Sequence, residues 1–178
     1  IQTILNRMKA ELVYVGIGSN IGDSITIATD AINRMRDIQD CTLVQQSSLY
    51  RSEPVSDIPQ DDYINAVALI ETTLEPMPML RELQAIEQAF NRQRDPALHW
   101  APRTLDLDII LFGQRVMNDP YLNVPHHEMA NRLFVLTPML EISGEQLIPG
   151  LGSLQYLINK APSIQLNKID VIPNNPTR

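Results

Sequence analysis

The chain has 178 residues, 44% of them hydrophobic, one cysteine and a formal charge of −7, enough for a single domain with a sizeable core. The lone Cys41 excludes an internal disulfide, and no apolar run reaches the ~18 residues of a membrane-crossing helix. The acidic balance excludes a broad nucleic-acid footprint, which needs a basic face to displace counterions.

A soluble cytoplasmic protein that handles anions locally is therefore expected. Between Lys9 and Lys160 every cationic side chain is arginine, whose planar fork suits phosphate oxygens. Residues 1–7 read as a leader ahead of a natural start at Met8, and 1–11 as an N-terminal extension to a domain at 12–168. Residues 12–17, rich in β-branched side chains, predict a strand. It runs into GIGSNIGD at 16–23, read as a tight glycine turn in which Asn20 either stabilises the turn or faces a site.

Asp23 is placed to cap a helix over 24–38 with Ile25, Ile32 and Met35 inward. Residues 41–50 predict a strand, 51–62 a loop with two prolines and three aspartates, and 63–73 another strand. Pro76 and Pro78 suit the first turn of a helix reaching about Arg92. Along it Leu80, Leu83, Ile86 and Phe90 form an apolar stripe, and Gln84, Glu87, Asn91 and Arg94 a separate polar ridge. A loop at 95–102, a strand at 104–112, an irregular stretch at 120–130, a helix at 133–142 containing Pro138 and a loose tail at 169–178 complete the order.

In RTLDLDIILF at 103–112, strand alternation places Leu105, Leu107, Ile109 and Leu111 on one face, and Thr104, Asp106 and Asp108 on the other. Same-face neighbours lie roughly 7 Å apart along a strand, a span over which one or two divalent cations can be held between carboxylates. An exposed polar strand face is the alternative. Trp100 and Arg103 just upstream, with Arg92 and Arg94 across the loop, favour the cation, because hard oxygen ligands then stand beside phosphate donors.

The G-x-G-x-x-x-G spacing does not match a dinucleotide fingerprint. His126 and His127 suit metal ligation poorly, since adjacent histidines point differently on most backbones and no Cys joins them, and read as phosphate contacts or as a surface pair; His99 reads as a loop residue. Tyr63 and Phe134 are core aromatics or a ligand platform. Asn65 shares the strand face of Tyr63 and offers both donor and acceptor to a flat heterocycle.

Five segments in order carry a resemblance: GIGSNIG at 16–22, LYRSEP at 49–54, DYINA at 62–66, WAPRTLDLDI at 100–109 and VPHHEMANR at 124–132. From about residue 12 to 168 the chain resembles the 6-hydroxymethyl-7,8-dihydropterin pyrophosphokinase family of the folate pathway. The resemblance implies an α+β fold, with a ferredoxin-like core expanded into a three-layer α/β/α sandwich on a mainly antiparallel sheet. It also implies transfer of the diphosphate of ATP to the pterin hydroxymethyl group, releasing AMP, in a monomer without nucleic-acid or membrane partners.

By the same likeness Asp106 and Asp108 hold two Mg²⁺ ions, with Arg92, Arg94 and Arg103 as further catalytic groups. ATP is surrounded by Gln84, Glu87, Trp100 and Ile109, with His126, His127, Arg132 and those arginines. Tyr63 and Phe134 sandwich the pterin, Asn65 bonds its edge, and Ser52, Glu53, Val55, Trp100 and Asp106 complete that subsite. The loops at 51–62 and 91–102 act as lids. Two rivals remain at this level: a nucleotidyltransferase, whose two motifs lie closer together, and a ligand-sensing module without turnover, in which adjacent carboxylates cost stability through repulsion.

Overall fold

Strand β1 (Glu11–Ser19) is buried through most of its length, as a strand covered on both faces requires. The computed structural model describes residues 9–90 and 104–170. After β1 come helix α1 (Ser24–Met35), strands β2 (Cys41–Gln46), β3 (Leu49–Ser52) and β4 (Tyr63–Thr72), helix α2 (Pro76–Ala89) and strand β5 (Asp106–Phe112). The short strands β6 (Met117–Asn118) and β7 (Asn123–Val124) then form a hairpin. Helix α3 (Leu133–Ser143), the hairpin of β8 (Leu147–Ile148) and β9 (Gly152–Ser153), helix α4 (Leu154–Lys160) and strand β10 (Leu166–Ile169) close the order.

The main sheet runs β10-β3-β4-β1-β5, with β2 pairing the far end of β4, and its ladders are antiparallel. Alternation along β1 and β4 builds two cores. Val13, Val15 and Ile17 with Ile64, Ala66 and Ile70 pack beneath α1 and α2, against Ala28, Ile32, Met35, Met79 and Leu83. On the opposite face Tyr14, Val67 and Leu69 pack against Leu136 and Met139 of α3 and Leu154 and Leu157 of α4. The result is the expected α/β/α sandwich.

Several expected elements change. The glycine segment is not a turn from residue 16: β1 continues to Ser19, and only Gly22, at φ 75°, makes the turn. Asp23 caps α1 as expected, its carboxylate accepting the Thr26 N–H at 3.2 Å. Ala28 and Ala31 join Ile32 and Met35 on the buried face, Ile25 being only partly buried, and the helix ends at Met35 rather than 38.

The strand expected over 41–50 is broken because its halves pair different ends of β4. Ser47 spans the break, its N–H donating to Val67 O at 2.8 Å and its hydroxyl accepting the Val67 N–H at 2.9 Å. Helix α2 stops at Ala89, where Phe90 N–H turns to Glu87 O. In β5 the register against β1 shifts between Tyr14 and Val15. This bulge passes over Ile110 and moves Leu111 onto the α3 side with it, returning Phe112 to the α1/α2 core. Simple alternation had put Leu111 with Ile109.

Helix α3 is tied to the sheet by Glu141. Its carboxylate accepts the Ser48 hydroxyl at 2.7 Å and the Tyr50 hydroxyl at 2.6 Å, and lies 3.3 Å from Lys168 Nζ. Burial works against its charge, but the bonds from the Ser48 and Tyr50 hydroxyls, the Ser48 N–H and Lys168 together outweigh it and hold its pKa below the ordinary carboxylate value. A lowered folded pKa contributes stability above the unfolded value, lost as pH falls through the folded one. Glu141→Ala is therefore expected to destabilise the protein by about 1–3 kcal/mol at pH 7. In urea titrations, the gap from wild type should narrow as pH drops below about 4.

Candidate active site

Helices α3 and α4 cover only part of their face of the sheet, and the uncovered part carries the polar residues. Opposite one another in the ladders stand Asn65 of β4, Gly18 of β1 and Asp106 of β5; Gly16 lies opposite Asp108. With no side chains at 16 and 18, the floor between Asn65 and the aspartates is open. A Cβ on Gly18 would stand 3.7 Å from Asn65 Oδ1 and 3.9 Å from a Tyr63 ring carbon. These glycines serve close approach to a strand, not a turn.

Above this lane lies a cleft of about 380 Å³. Its residues include Ser52, Glu53, Val55, Tyr63, Asn65, Asp106, Asp108, His126, His127, Arg132 and Phe134, so the structure gathers most of the described candidates into one place. Asn65 is 3% exposed and donates its Nδ2–H to Ser52 Oγ at 2.8 Å, which leaves its carbonyl oxygen over the lane.

Asp108 meets two cationic or donor groups. Arg132 Nη1 lies 3.1 Å from its Oδ2, and His126 Nε2 lies 3.7 Å from the same oxygen. His126 Nδ1 accepts the Glu128 N–H at 3.1 Å, so the neutral ring carries its proton on Nε2, toward the carboxylate. Burial, then the charges of Arg132 and His127, push the His126 pKa down to about 4, against the pull of Asp106 and Glu128. It is a neutral donor near pH 7. The two histidine rings stack, centroids 4.7 Å apart and planes at 18°, so these neighbours do not diverge as expected.

Other candidates stand elsewhere. The side chain of Ile109 is buried, 2% exposed, in the α1/α2 core, so only its main chain remains for ATP. Glu87, expected on a polar ridge of α2, is 2% exposed and accepts the Leu107 N–H, between the two aspartates, at 2.8 Å. Gln84 lies half-buried on α2. Arg92, Arg94, His99, Trp100 and Arg103, with the loop at 91–102, residues 1–7 and most of the 169–178 tail, lie outside the described residues; Ile169 belongs to β10. The sequence reading missed Gln60, Glu128 and Val135 as lining residues; Gln60, just before DYINA, was the one with a positional signal.

A ligand-sized lane flanked by an amide, paired hard carboxylates and the donors of Arg132 and His126 has the groups that phosphoryl-type transfer uses. Residues 14–144 match the family described as 7,8-dihydro-6-hydroxymethylpterin-pyrophosphokinase. The 2-amino-4-hydroxy-6-hydroxymethyldihydropteridine pyrophosphokinase of Pseudomonas aeruginosa is 40% identical over 153 residues, 84% of this chain and 91% of that protein. The enzyme of the same name from Haemophilus influenzae is 36% identical over 157 residues, 88% of this chain and 97% of that one. A crystal structure of Plasmodium falciparum HPPK-DHPS with pteroate shares the fold at TM-score 0.67 and 12% identity, covering 88% of this chain and 41% of that longer one. The chain belongs to the 7,8-dihydro-6-hydroxymethylpterin-pyrophosphokinase family, and its activity is the pyrophosphokinase step of folate biosynthesis.

Two outcomes test the geometry. With a folded pKa near about 4 against 6.5 for the unfolded imidazole, His126 contributes stability present above pH 6.5 and lost as pH falls through about 4. Urea midpoints measured across that range should show this component in wild type and lose it in His126→Gln. Separately, Gly18→Val should keep the strand, since Val is a good strand former, but fill the lane and block ligand binding in a calorimetric titration.

Proposed function

We propose that the chain transfers the β,γ-diphosphate of ATP to the hydroxymethyl oxygen of 6-hydroxymethyl-7,8-dihydropterin in an Mg²⁺-dependent reaction. The pterin hydroxymethyl oxygen bonds to the β-phosphorus and gives its proton to solvent, the bond from the β-phosphorus to the oxygen bridging the α-phosphate breaks, and AMP leaves with that oxygen. The observation that carries the residue roles is the glycine lane with Asn65 on one side and Asp106 and Asp108 on the other.

The residues fit the cation. Asp106 and Asp108 supply hard oxygens on adjacent same-face positions, and among the described residues no group of three His, Cys, Asp or Glu forms a fuller cage. Mg²⁺ takes such a partial set, keeping positions for phosphate oxygens and water. When bound, two ions would neutralise the triphosphate and stabilise the charge that develops on transfer.

The chain's own groups supply position and electrostatics. Asn65 presents its carbonyl to the donor edge of the pterin, with Ser52 holding the amide in that orientation. Tyr63 and Phe134 line the cleft as apolar walls for the flat ring. His126 directs Nε2–H, and Arg132 its guanidinium, at the aspartate end where the phosphates lie. His126, neutral near pH 7 in the free protein, donates a hydrogen bond there. By family likeness Arg92, Arg94, Trp100 and Arg103, with Gln84 and Glu87, complete the ATP site. A monomeric cytoplasmic enzyme is the matching state; among the described residues no helix is long and apolar enough to cross a membrane.

Protein mixed with ATP, Mg²⁺ and the hydroxymethyl pterin should release AMP, not ADP, and EDTA should stop it. Asp108→Ala is expected to lower kcat on the order of 10²–10³ fold with an unchanged thermal transition; near-normal turnover would remove the metal assignment. Asn65→Ala should raise the pterin Kd and leave ATP binding intact.

A further inference from the structure

The loop at 53–62 forms one wall of the cleft through Glu53, Val55, Ser56 and Gln60, and it is anchored at both ends. At its start, Glu53 N–H donates to Gln165 O at 3.4 Å and Gln165 N–H donates to Glu53 Oε1 at 3.0 Å, just ahead of β10. At its end, the side chain of Asn20 reaches across from the residue after β1.

Asn20 is 3% exposed. Its amide donates to Gln60 Oε1 at 2.9 Å and to Asp61 O at 3.1 Å. The same Gln60 oxygen accepts the Tyr63 hydroxyl at 3.2 Å. One amide oxygen therefore ties the floor strand, the loop and a ring that lines the cleft. Gln60 also separates this cleft from a second hollow of about 570 Å³ beside the start of α1, lined by Asn20, Asp23, Arg51 and Asp62.

We propose that Asn20 and Gln60 are positioning residues that hold the 53–62 wall and the Tyr63 ring in the ligand-ready arrangement before the pterin arrives. The proposal deepens the pterin site described above and rests on it. A wall already ordered in the free protein has little conformational freedom left to lose on binding, which is the physical content of preorganisation. Neither residue needs to touch a reacting atom. The effect falls on pterin affinity, not on the diphosphoryl step.

The test uses the full chain with three readouts: amide hydrogen exchange of the 53–62 loop without ligand, pterin Kd by fluorescence, and kcat with the KM for ATP. In Asn20→Ala, loop exchange should accelerate and pterin Kd rise roughly 5- to 30-fold, the effect of severing a buried hydrogen-bonded group, while kcat at saturation and the KM for ATP stay within about twofold. Gln60→Ala, at a half-buried loop position, removes the shared Asn20–Gln60 bond together with the Tyr63 hydroxyl contact, and serves should Asn20→Ala fail to fold. The double variant should raise pterin Kd by less than the product of the two single effects, because both remove the Asn20–Gln60 bond.

Unchanged loop exchange in both single variants overturns the proposal. So does faster exchange with pterin Kd unmoved while Asn65→Ala still weakens pterin. If neither Asn20→Ala nor Asn65→Ala moves pterin Kd, the pterin-site reading fails instead, and the proposal with it. An equal loss of ATP and pterin binding also overturns it, marking a general lesion.

Discussion

The structure depends on a central strand that has neighbours on both sides and, at two positions, no side chains. Ladders to β4 and β5 hold the backbone of β1, and this pairing offsets the roughly 0.5–1 kcal/mol that a glycine costs inside a strand. At residues 13–15 the same strand is ordinary core, packed above and below. Two residues further on, the face toward α3 becomes a floor. The boundary between core and site thus falls within one strand, where Tyr14 gives way to Gly16.

That boundary sets the electrostatics. Asp106 and Asp108 project from an edge strand onto the open floor, while their neighbours Leu107 and Ile109 anchor the strand in the α1/α2 core. Glu87 steadies the strand from the other side by accepting the N–H of Leu107. Arg132 offsets the charge of Asp108, and the same arginine, together with burial, keeps His126 neutral. An acidic chain therefore gathers a few closely placed donors around Asp108.

The loop wall shows the same economy of contacts. Short links from Asn20 and Gln165 bound a ten-residue segment whose interior side chains Val55 and Ile58 are exposed. Without these links such a segment would fall at the low-stability end of a fold. Its anchors come from parts of the chain about 40 and 110 residues away.

Periodicity along the sequence was enough to place Asp106 and Asp108 on one face, to orient α1 and to identify Asp23 as its cap, because these depend on geometry repeated every two or 3.6 residues. The ordered motifs were enough for the family. Tertiary structure alone decided which sheet face α3 leaves open, and hence that Gly16 and Gly18 are floor and not turn. It also placed the bulge that reverses Leu111, stacked His126 on His127 and buried Glu87. Apart from the stack of the adjacent histidines, each of these outcomes is set by a partner distant in sequence: a helix covering part of a face, a strand one residue out of step, the Leu107 N–H that Glu87 bonds. No local period encodes such partners.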